Sequence, residues 1–196
     1  NEVVRLKVIV HVGPKGFQKV GHICFAYDDI VYSYGNYDSD SFHLNQTIGD
    51  GIFFTVPLEK YIPNMISAEN NSIFEYGIYT TPKQNEMIEK EIEKIRQNGY
   101  RWYTKIEKED GYDRFSEYEM DYPSRLHYRT GAKLYKVKSG KFHIYWALGD
   151  NCASFTDLVL GTLGADVLSI RGIISPGTYL DWLQKEYLKK NSPIVF

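Results

Sequence analysis

One cysteine stands where a strand is predicted to end and a helix to begin, in the segment GDNCAS at residues 149–154. The unpaired N–H groups and the positive dipole end of a helix start favour a thiolate, which is the form of cysteine that attacks a carbonyl carbon. The backbone N–H of Cys152, with the Asn151 side chain, is placed to receive the oxyanion of a tetrahedral intermediate. Alternatively, Asp150 and Asn151 are helix caps and Cys152 is a small buried residue.

A histidine that can serve this thiol lies in the apolar segment GHICFA, residues 21–26. Side chains alternate between the two faces of a strand, so His22, Cys24 and Ala26 are predicted to share one face. An imidazole that removes the thiol proton and later protonates the leaving group is the second part that a cysteine hydrolase needs. The sequence therefore predicts Cys152 as nucleophile and His22 as general base, although a lone histidine in a strand is more often structural.

The second cysteine, Cys24, is predicted to lie on the His22 face, roughly 7 Å further along the strand. From there it could approach Cys152, and a disulfide between the two would silence the nucleophile. The alternative is a buried, inert thiol. Its strand position gives it no helix dipole, which makes it the weaker nucleophile.

No metal or other cofactor is expected from the sequence. The remaining histidines lack the close paired spacing of a zinc site, and neither Cys-x-x-Cys nor His-Glu-x-x-His occurs. We interpret His11 and His143, in strand-like runs, as structural, while His43 and His127 lie in loop-like segments. The Gly-x-Ser-x-Gly elbow of serine hydrolases and the Walker phosphate loop are also absent.

Composition argues against nucleic-acid binding and membrane spanning. The chain is 43% hydrophobic and 24% charged, as in ordinary folded domains. Lys and Arg number 23 against 25 Asp and Glu, so no nucleic acid is expected as a partner. The longest apolar runs, such as Val8-Ile9-Val10, fall far below the roughly 18 residues of a spanning helix, so we expect no transmembrane segment.

The apolar periodicity predicts strands and helices in mixed order. Strands are expected over 3–12, 20–27, 30–34, 53–56, 72–80, 133–137 and 142–147, with tight turns at 28–29 and 138–141 making hairpins. Helices are expected from Pro57 towards Ile66, over 82–97, from Cys152 to about Leu163, and from Ser175-Pro176 towards Lys189. This order predicts a single α+β domain over residues 1–196, with an antiparallel sheet packed against helices.

The segment at about 99–130 shows no sustained period and is dense in charge and tyrosine. We interpret it as a Tyr-rich excursion over the surface. Long loops of this kind serve as substrate lids or rims, or are plain surface decoration.

The Gly21-His22 strand, its turn at Asp28-Asp29, the next strand over 30–34 and the later Asn151-Cys152 helix start resemble the permuted NlpC-type papain-like superfamily. This superfamily includes the lecithin:retinol acyltransferase-like proteins and bacterial relatives. The matching segments cover under a third of the chain, and the motifs are short. The resemblance implies a circularly permuted papain-like fold, in which the His strand precedes the Cys helix.

The resemblance also implies a third polar residue, which orients the imidazole from the strand after the histidine. With one residue of slippage the pattern puts Ser33 there, in place of the usual His, Glu or Asp. A hydroxyl stabilises imidazolium less than a carboxylate does. Tyr32, Tyr34 and Asp38 are nearby substitutes, and we group Tyr34 with Asn151 as residues that orient the substrate or the oxyanion. Alternatively, Ser33 is a plain hairpin serine.

Members of this superfamily act as amidases, peptidases, thioesterases or acyltransferases. The resemblance first implies a bacterial peptidoglycan amidase or endopeptidase, secreted or delivered to the periplasm or a target cell as an antibacterial effector or toxin. No cationic leader with an apolar stretch opens the given sequence. That start suits delivery by another apparatus, with an immunity or delivery protein as partner.

Two other functions stay open. One is a lipid-directed thioesterase, acyltransferase or phospholipase of the same superfamily, with a lipid acyl chain as substrate. The other is a non-catalytic binding module that keeps the fold and uses its aromatic surface. The missing acidic third residue favours the binding module, whereas the presence of both Cys152 and His22 opposes it.

Overall fold

The computed structural model describes residues 3–12, 21–109, 116–163, 181, 183–185, 187–189 and 192–196, and its largest element is an eight-stranded antiparallel sheet. The strands are β1 (Leu6–Val12), β2 (His22–Tyr27), β3 (Ile30–Gly35), β4 (Ile48–Asp50), β5 (Ile52–Pro57), β6 (Ser72–Ile78), β7 (Gly99–Trp102), β8 (Lys133–Val137), β9 (Ile144–Trp146) and β10 (Ile194–Val195). The helices are α1 (Leu58–Pro63), α2 (Pro82–Gln97), α3 (Lys105–Lys108), α4 (Tyr122–Thr130) and α5 (Cys152–Leu160). The main sheet runs β10-β6-β1-β2-β3-β5-β8-β7, and β4 pairs with β9 separately. The predicted α+β class, with an antiparallel sheet packed against helices, is confirmed.

Both faces of the central strands are buried, because helices cover the sheet on each side. On one face the apolar side chains of β2 and β3 pack with those of α2 and α5, including Phe25, Tyr34 and Phe155. On the other face Cys24 and Ala26 pack with side chains of α1 and α4. Burial on both sides explains why β2 is apolar at nearly every position rather than alternating with polar residues.

The β2–β3 hairpin has the two-residue turn that the sequence predicts. Asp28 and Asp29 have φ angles of 49° and 62°, the left-handed pair of a type I′ turn. Asp28 accepts two hydrogen bonds of 2.7 Å from Arg5, and Asp29 accepts one of 3.3 Å from Lys7. These bonds hold the turn against the start of β1.

The clearest predicted helix, over 82–97, is confirmed as α2. Thr81 and Gln84 form a reciprocal capping box at its start, and Asn98 caps its end one residue before the predicted stop at Gly99. Helix α5 begins at Cys152 as predicted, and a 3₁₀ turn over Gly161–Leu163 continues it. The predicted stop at Gly164 and the predicted start of the last helix at Ser175-Pro176 lie outside the described residues.

The predicted hairpin between 133–137 and 142–147 is wrong. Strand β9 pairs with β4 in the separate sheet, with Gly49 opposite Tyr145. The chain leaves the direction of β8 because Phe142 adopts a φ of 68°. Gly51 fixes that bend: a Cβ there would lie 1.8 Å from the Phe142 carbonyl oxygen, so only glycine fits.

The segment at 99–130 is also more regular than its lack of periodicity predicts. It holds β7, α3 and α4 among its described residues, and β7 pairs with β8 at the sheet edge. Thr104 forms a capping box with Glu107, and the Asp121 side chain caps α4. Local capping thus starts two helices too short to show a period, and Ile106 and Leu126 are buried beneath them.

No helix within the described ranges is both long enough and apolar enough to cross a membrane.

The turn between β2 and β3 offers a test of its left-handed strain. Asp29→Gly should raise the free energy of unfolding by up to about 1 kcal/mol, because glycine takes a positive φ without steric cost and the lost pair with Lys7 is exposed. Asp28→Gly is the matched control, which also loses two bonds to Arg5 and should gain nothing. Urea unfolding of the wild type and the two variants measures the difference. An equal loss of stability in both variants would contradict left-handed strain at Asp29.

Candidate active site

Strands β2 and β3 part beyond the hairpin, and the start of α5 reaches the gap. The strands pair from Tyr27 with Ile30 to Phe25 with Tyr32, and no further. The next hydrogen-bonded pair of an antiparallel ladder would join Ile23 to Tyr34. Instead, the backbone N–H of Ile23 lies close enough to the sulfur of Cys152 to lower the pKa of the thiol. The thiol therefore lies beside the residue that follows His22.

A cap holds the first turn of α5 in this position. Asn151 Oδ1 accepts from the Ser154 backbone N–H at 3.0 Å, and Ser154 Oγ accepts from the Asn151 N–H at 2.9 Å. Asn151 Nδ2 donates to the Ala147 carbonyl at 3.1 Å. These bonds engage the Asn151 amide in the cap rather than in the oxyanion role that the sequence suggested. Backbone N–H groups at the helix start are left as the oxyanion donors.

Burial determines the ionisation of Cys152. Only 6% of the residue is exposed, and this burial raises the pKa of the thiol from its ordinary value of 9.0 to about 11. The backbone N–H groups of Ile23, Ala153 and Cys152 lower the pKa but do not overcome the desolvation. The expected resting thiolate is therefore corrected, and the thiol is neutral at pH 7.

His22 is bound to Ser33, the residue that the family pattern selects. His22 Nε2 lies 2.5 Å from Ser33 Oγ, and Ser33 is completely buried. Within the described ranges Nδ1 has no hydrogen-bond partner. Burial lowers the pKa of His22 from 6.5 to about 4, so the ring is neutral at pH 7. If Nε2–H donates to Ser33, the Nδ1 lone pair is the base that can take a proton.

Ser33 is itself supported by a residue that sequence reasoning missed. Tyr37 OH lies 3.3 Å from Ser33 Oγ, and the Tyr37 ring stacks on Tyr122 with centroids 5.8 Å apart. A Cβ on Gly35 would lie 2.9 Å from the Tyr37 ring, so glycine is what lets the tyrosine fold back against the strand end. The available signal was the Gly-x-Tyr sequence directly after β3.

A second polar group lies behind His22. The ring of His11 contacts the ring of His22 edge-on, with centroids 5.3 Å apart, and His11 Nε2 lies 3.0 Å from Tyr61 OH. Burial, with a smaller effect from the neighbouring His22 charge, lowers the pKa of His11 to about 3. This neutral ring fixes one side of the His22 imidazole.

Cys24 belongs to this second polar group rather than to the nucleophile position. Its sulfur donates to Tyr61 OH at 3.7 Å, and burial raises the pKa of the thiol to about 12. Both cysteines are free and buried in this structure. Cys24 and Cys152 approach the β2–β3 gap from opposite faces and are near enough to affect one another electrostatically.

The structure brings Cys152 and His22 to the same gap without joining them. Within the described ranges no hydrogen bond links the sulfur to the ring, since the thiol faces Ile23 and Nε2 faces Ser33. Alternation along β2 places the His22 side chain on the face of the sheet that α1 covers, whereas Cys152 lies on the face that α5 covers. The gap between the parted strands connects these two faces. Catalytic hydrogen bonds are often absent from unliganded enzymes and form with substrate.

The other residues that the sequence suggested have partners other than His22. Tyr34 is fully buried and donates to the Phe142 carbonyl at 2.9 Å, so it does not contact a substrate. Tyr32 accepts a 2.7 Å bond from Arg96. Asp38 pairs with Lys136 at 2.9 Å. Ser33 and Tyr37 are thus the polar residues that support His22.

In the described part of the chain, no group of three His, Cys, Asp or Glu side chains is arranged to hold a metal ion.

Comparison with known proteins finds no match: no family model fits the sequence, no curated protein is similar to it, and no solved structure is similar to the fold.

The raised thiol pKa can be tested by alkylation of a Cys24→Ala protein, in which Cys152 is the remaining thiol. The rate with iodoacetamide should be below that of a free thiol at pH 7.5 and should rise up to about pH 11, because only the thiolate reacts. Mass spectrometry of the labelled peptide measures the rate. A rate that levels off by pH 8 would show that a thiolate already forms at neutral pH.

The two neutral histidines make folding stability depend on pH. Their pKa values are about 3 and 4 in the folded chain against 6.5 when unfolded, so the unfolded chain binds more protons in this interval. The contribution of the two histidines to folding stability is fully present above pH 6.5 and is lost as the pH falls towards 3. Each unit by which folding lowers a histidine pKa corresponds to roughly 1.4 kcal/mol of this contribution. Urea midpoints from pH 7 to 4 test this. His11→Gln should flatten the slope, and His43→Gln, at an exposed loop position, should leave it unchanged.

Proposed function

We propose that this protein is a cysteine hydrolase with a permuted, NlpC-type papain-like fold, which cleaves an amide or ester acyl bond. One observation carries the proposal: Cys152 opens a buried helix with its sulfur near the backbone N–H of Ile23, the residue after His22, and His22 Nε2 is held by Ser33. This arrangement supplies a nucleophile, a base with a free ring nitrogen and an orienting hydroxyl.

The proposed reaction starts from a neutral pair. As the sulfur attacks the carbonyl carbon, the thiol proton passes to His22 Nδ1, and the oxyanion is received by backbone N–H groups at the start of α5. The imidazolium then protonates the leaving nitrogen or oxygen, which breaks the acyl bond and leaves a thioester on Cys152. His22 next takes a proton from water as the water oxygen attacks the thioester carbon. The C–S bond then breaks, which releases the acid, and the imidazolium returns its proton to the sulfur of Cys152. Ser33 and Tyr37 keep Nδ1 directed at the gap.

The substrate we place first is a cell-wall peptide, because bacterial members of the resembled superfamily commonly cut peptidoglycan. Secretion or delivery as an antibacterial toxin, with an immunity protein as partner, is part of the same proposal. Such a substrate presents amide bonds between short, polar peptide stems. Attack by Cys152, with His22 as the base, can cleave such amide bonds without any further chemical group.

A lipid ester is the second candidate, and one surface feature favours it. Four apolar side chains are exposed near the β4–β9 sheet, which leads directly to Cys152: Leu44, Ile144, Trp146 and Leu148. Their exposed fractions lie between 45% and 72%. Exposed apolar groups of this kind form contacts with acyl chains or membrane surfaces.

The experiment incubates the protein with purified peptidoglycan and, in parallel, with phospholipid vesicles, and identifies the products by mass spectrometry. Cys152→Ala and His22→Gln should lose activity, and Ser33→Ala should lower kcat about 10- to 100-fold with little change in KM. Tyr37→Phe should have a smaller effect in the same direction. Cys24→Ala is the matched control, since it removes a buried thiol that lies on the opposite face of the sheet from Cys152.

The dependence of the rate on pH distinguishes a neutral thiol–imidazole pair from a thiolate–imidazolium pair. The value of kcat/KM should be level from about pH 5 to 10, because the free enzyme titrates near 4 and 11. A fall in rate between pH 7 and 9 would contradict the neutral pair. Muropeptide release selects the wall substrate and fatty-acid release selects the lipid. If neither product forms, hydrolysis is contradicted for these substrates and the binding module is favoured.

A further inference from the structure

A cavity of about 260 Å³ lies between α2, α5 and the turn that follows β8. Its walls are apolar and partly aromatic, formed by Phe53, Ile95, Val137, Phe142, Phe155 and Leu158. Ligand pockets are typically concave, mostly apolar and roughly 300–1,000 Å³ in volume. The cavity has this character and a volume just below the range, which suits a short or medium hydrocarbon chain.

The mouth of the cavity carries an excess positive charge. Glu91, Lys94 and Lys141 line it, and Lys94 pairs with Glu91 at 3.1 Å. Lys141 has no carboxylate partner in the described part of the chain, and its Nζ lies 5.2 Å from the centroid of the Phe142 ring. An unpaired ammonium above an apolar floor matches a molecule with an anionic end and an apolar body.

We propose that this cavity binds a medium-chain fatty acid anion. The hydrocarbon chain lies among the aromatic and aliphatic walls, and the carboxylate pairs with Lys141. Cys152 does not line the cavity, so this site is separate from the proposed hydrolytic site and does not depend on it. Phe155 and Leu158 belong to the helix that carries Cys152, so a bound chain also contacts that helix.

The test is isothermal titration with decanoate below its micelle concentration, with decyltrimethylammonium as a ligand of the same chain length and opposite charge. Decanoate should bind with a stoichiometry of one. Leu158→Trp, which fills the cavity from a half-buried wall position, should weaken binding about tenfold, the effect of roughly two buried methylene groups. Ile66→Trp adds the same ring at an exposed position outside the cavity and should not change the affinity.

A charge-reversal pair tests the headgroup. Lys141→Glu should weaken decanoate binding at least about threefold, whereas Lys133→Glu, an equal change at an exposed residue of β8, should not. If Leu158→Trp does not fold, as judged by circular dichroism, Ser139→Trp at the exposed mouth replaces it. The proposal is overturned if decanoate does not bind saturably, if filling the cavity leaves its affinity unchanged, or if the cationic amphiphile binds equally well.

Discussion

Ile23 carries a backbone N–H on the side of β2 where β3 has parted, and this group lies close enough to the sulfur of Cys152 to lower the pKa of the thiol. A buried N–H without a partner costs about 1–3 kcal/mol, so the start of α5 is needed at the gap for the stability of the sheet. The same contact puts the thiol beside the residue that follows His22. Aromatic packing extends the junction, since Phe155 on α5 stacks on Tyr34 of β3 with centroids 5.0 Å apart. The sheet defect and the site are therefore one feature.

The ionisation of the site depends on which of two opposing effects is larger. A helix start stabilises an anion by about 0.3–1 kcal/mol, which is less than one pKa unit. Burial acts in the opposite direction, and the pKa of Cys152 is about 11 even after three backbone N–H groups have lowered it. Burial also keeps His22 neutral. A dry site disfavours both charges at once, so both groups are neutral at pH 7.

The sequence predicted the parts of the fold that have a clear period or a clear turn. Helix α2, the β2–β3 hairpin and the start of α5 at Cys152 follow from apolar spacing, paired aspartates and capping residues. The pairing of β9 with β4 could not be predicted, because it depends on a positive φ at Phe142 and a close backbone approach at Gly51. Short helices such as α3 and α4 start from local caps and show no period.

The candidate site was predictable in its residue types and less so in its electrostatics. Cys152 and His22 were named from their residue types and predicted elements, and Ser33 from the family resemblance. The structure places Ser33 against His22 and Cys152 near Ile23. Tyr37 was missed because its hydroxyl returns to Ser33 across a loop, which no strand pattern indicates. The pKa values of both reacting groups depend on burial by α1, α4 and α5 together, and burial of this kind is a property of the assembled fold.

The two-residue turn at Asp28 and Asp29 also has an evolutionary consequence. His22 and Ser33 are 11 positions apart, and this separation brings their side chains together only while the turn keeps its length. Insertion or deletion of one residue in β2, in the turn or in β3 would move Ser33 to the opposite face of its strand. Descendants that use this pair should therefore accept changes of length in other loops while keeping the His-x₁₀-Ser interval, which gives a pattern for finding distant relatives that overall similarity does not detect.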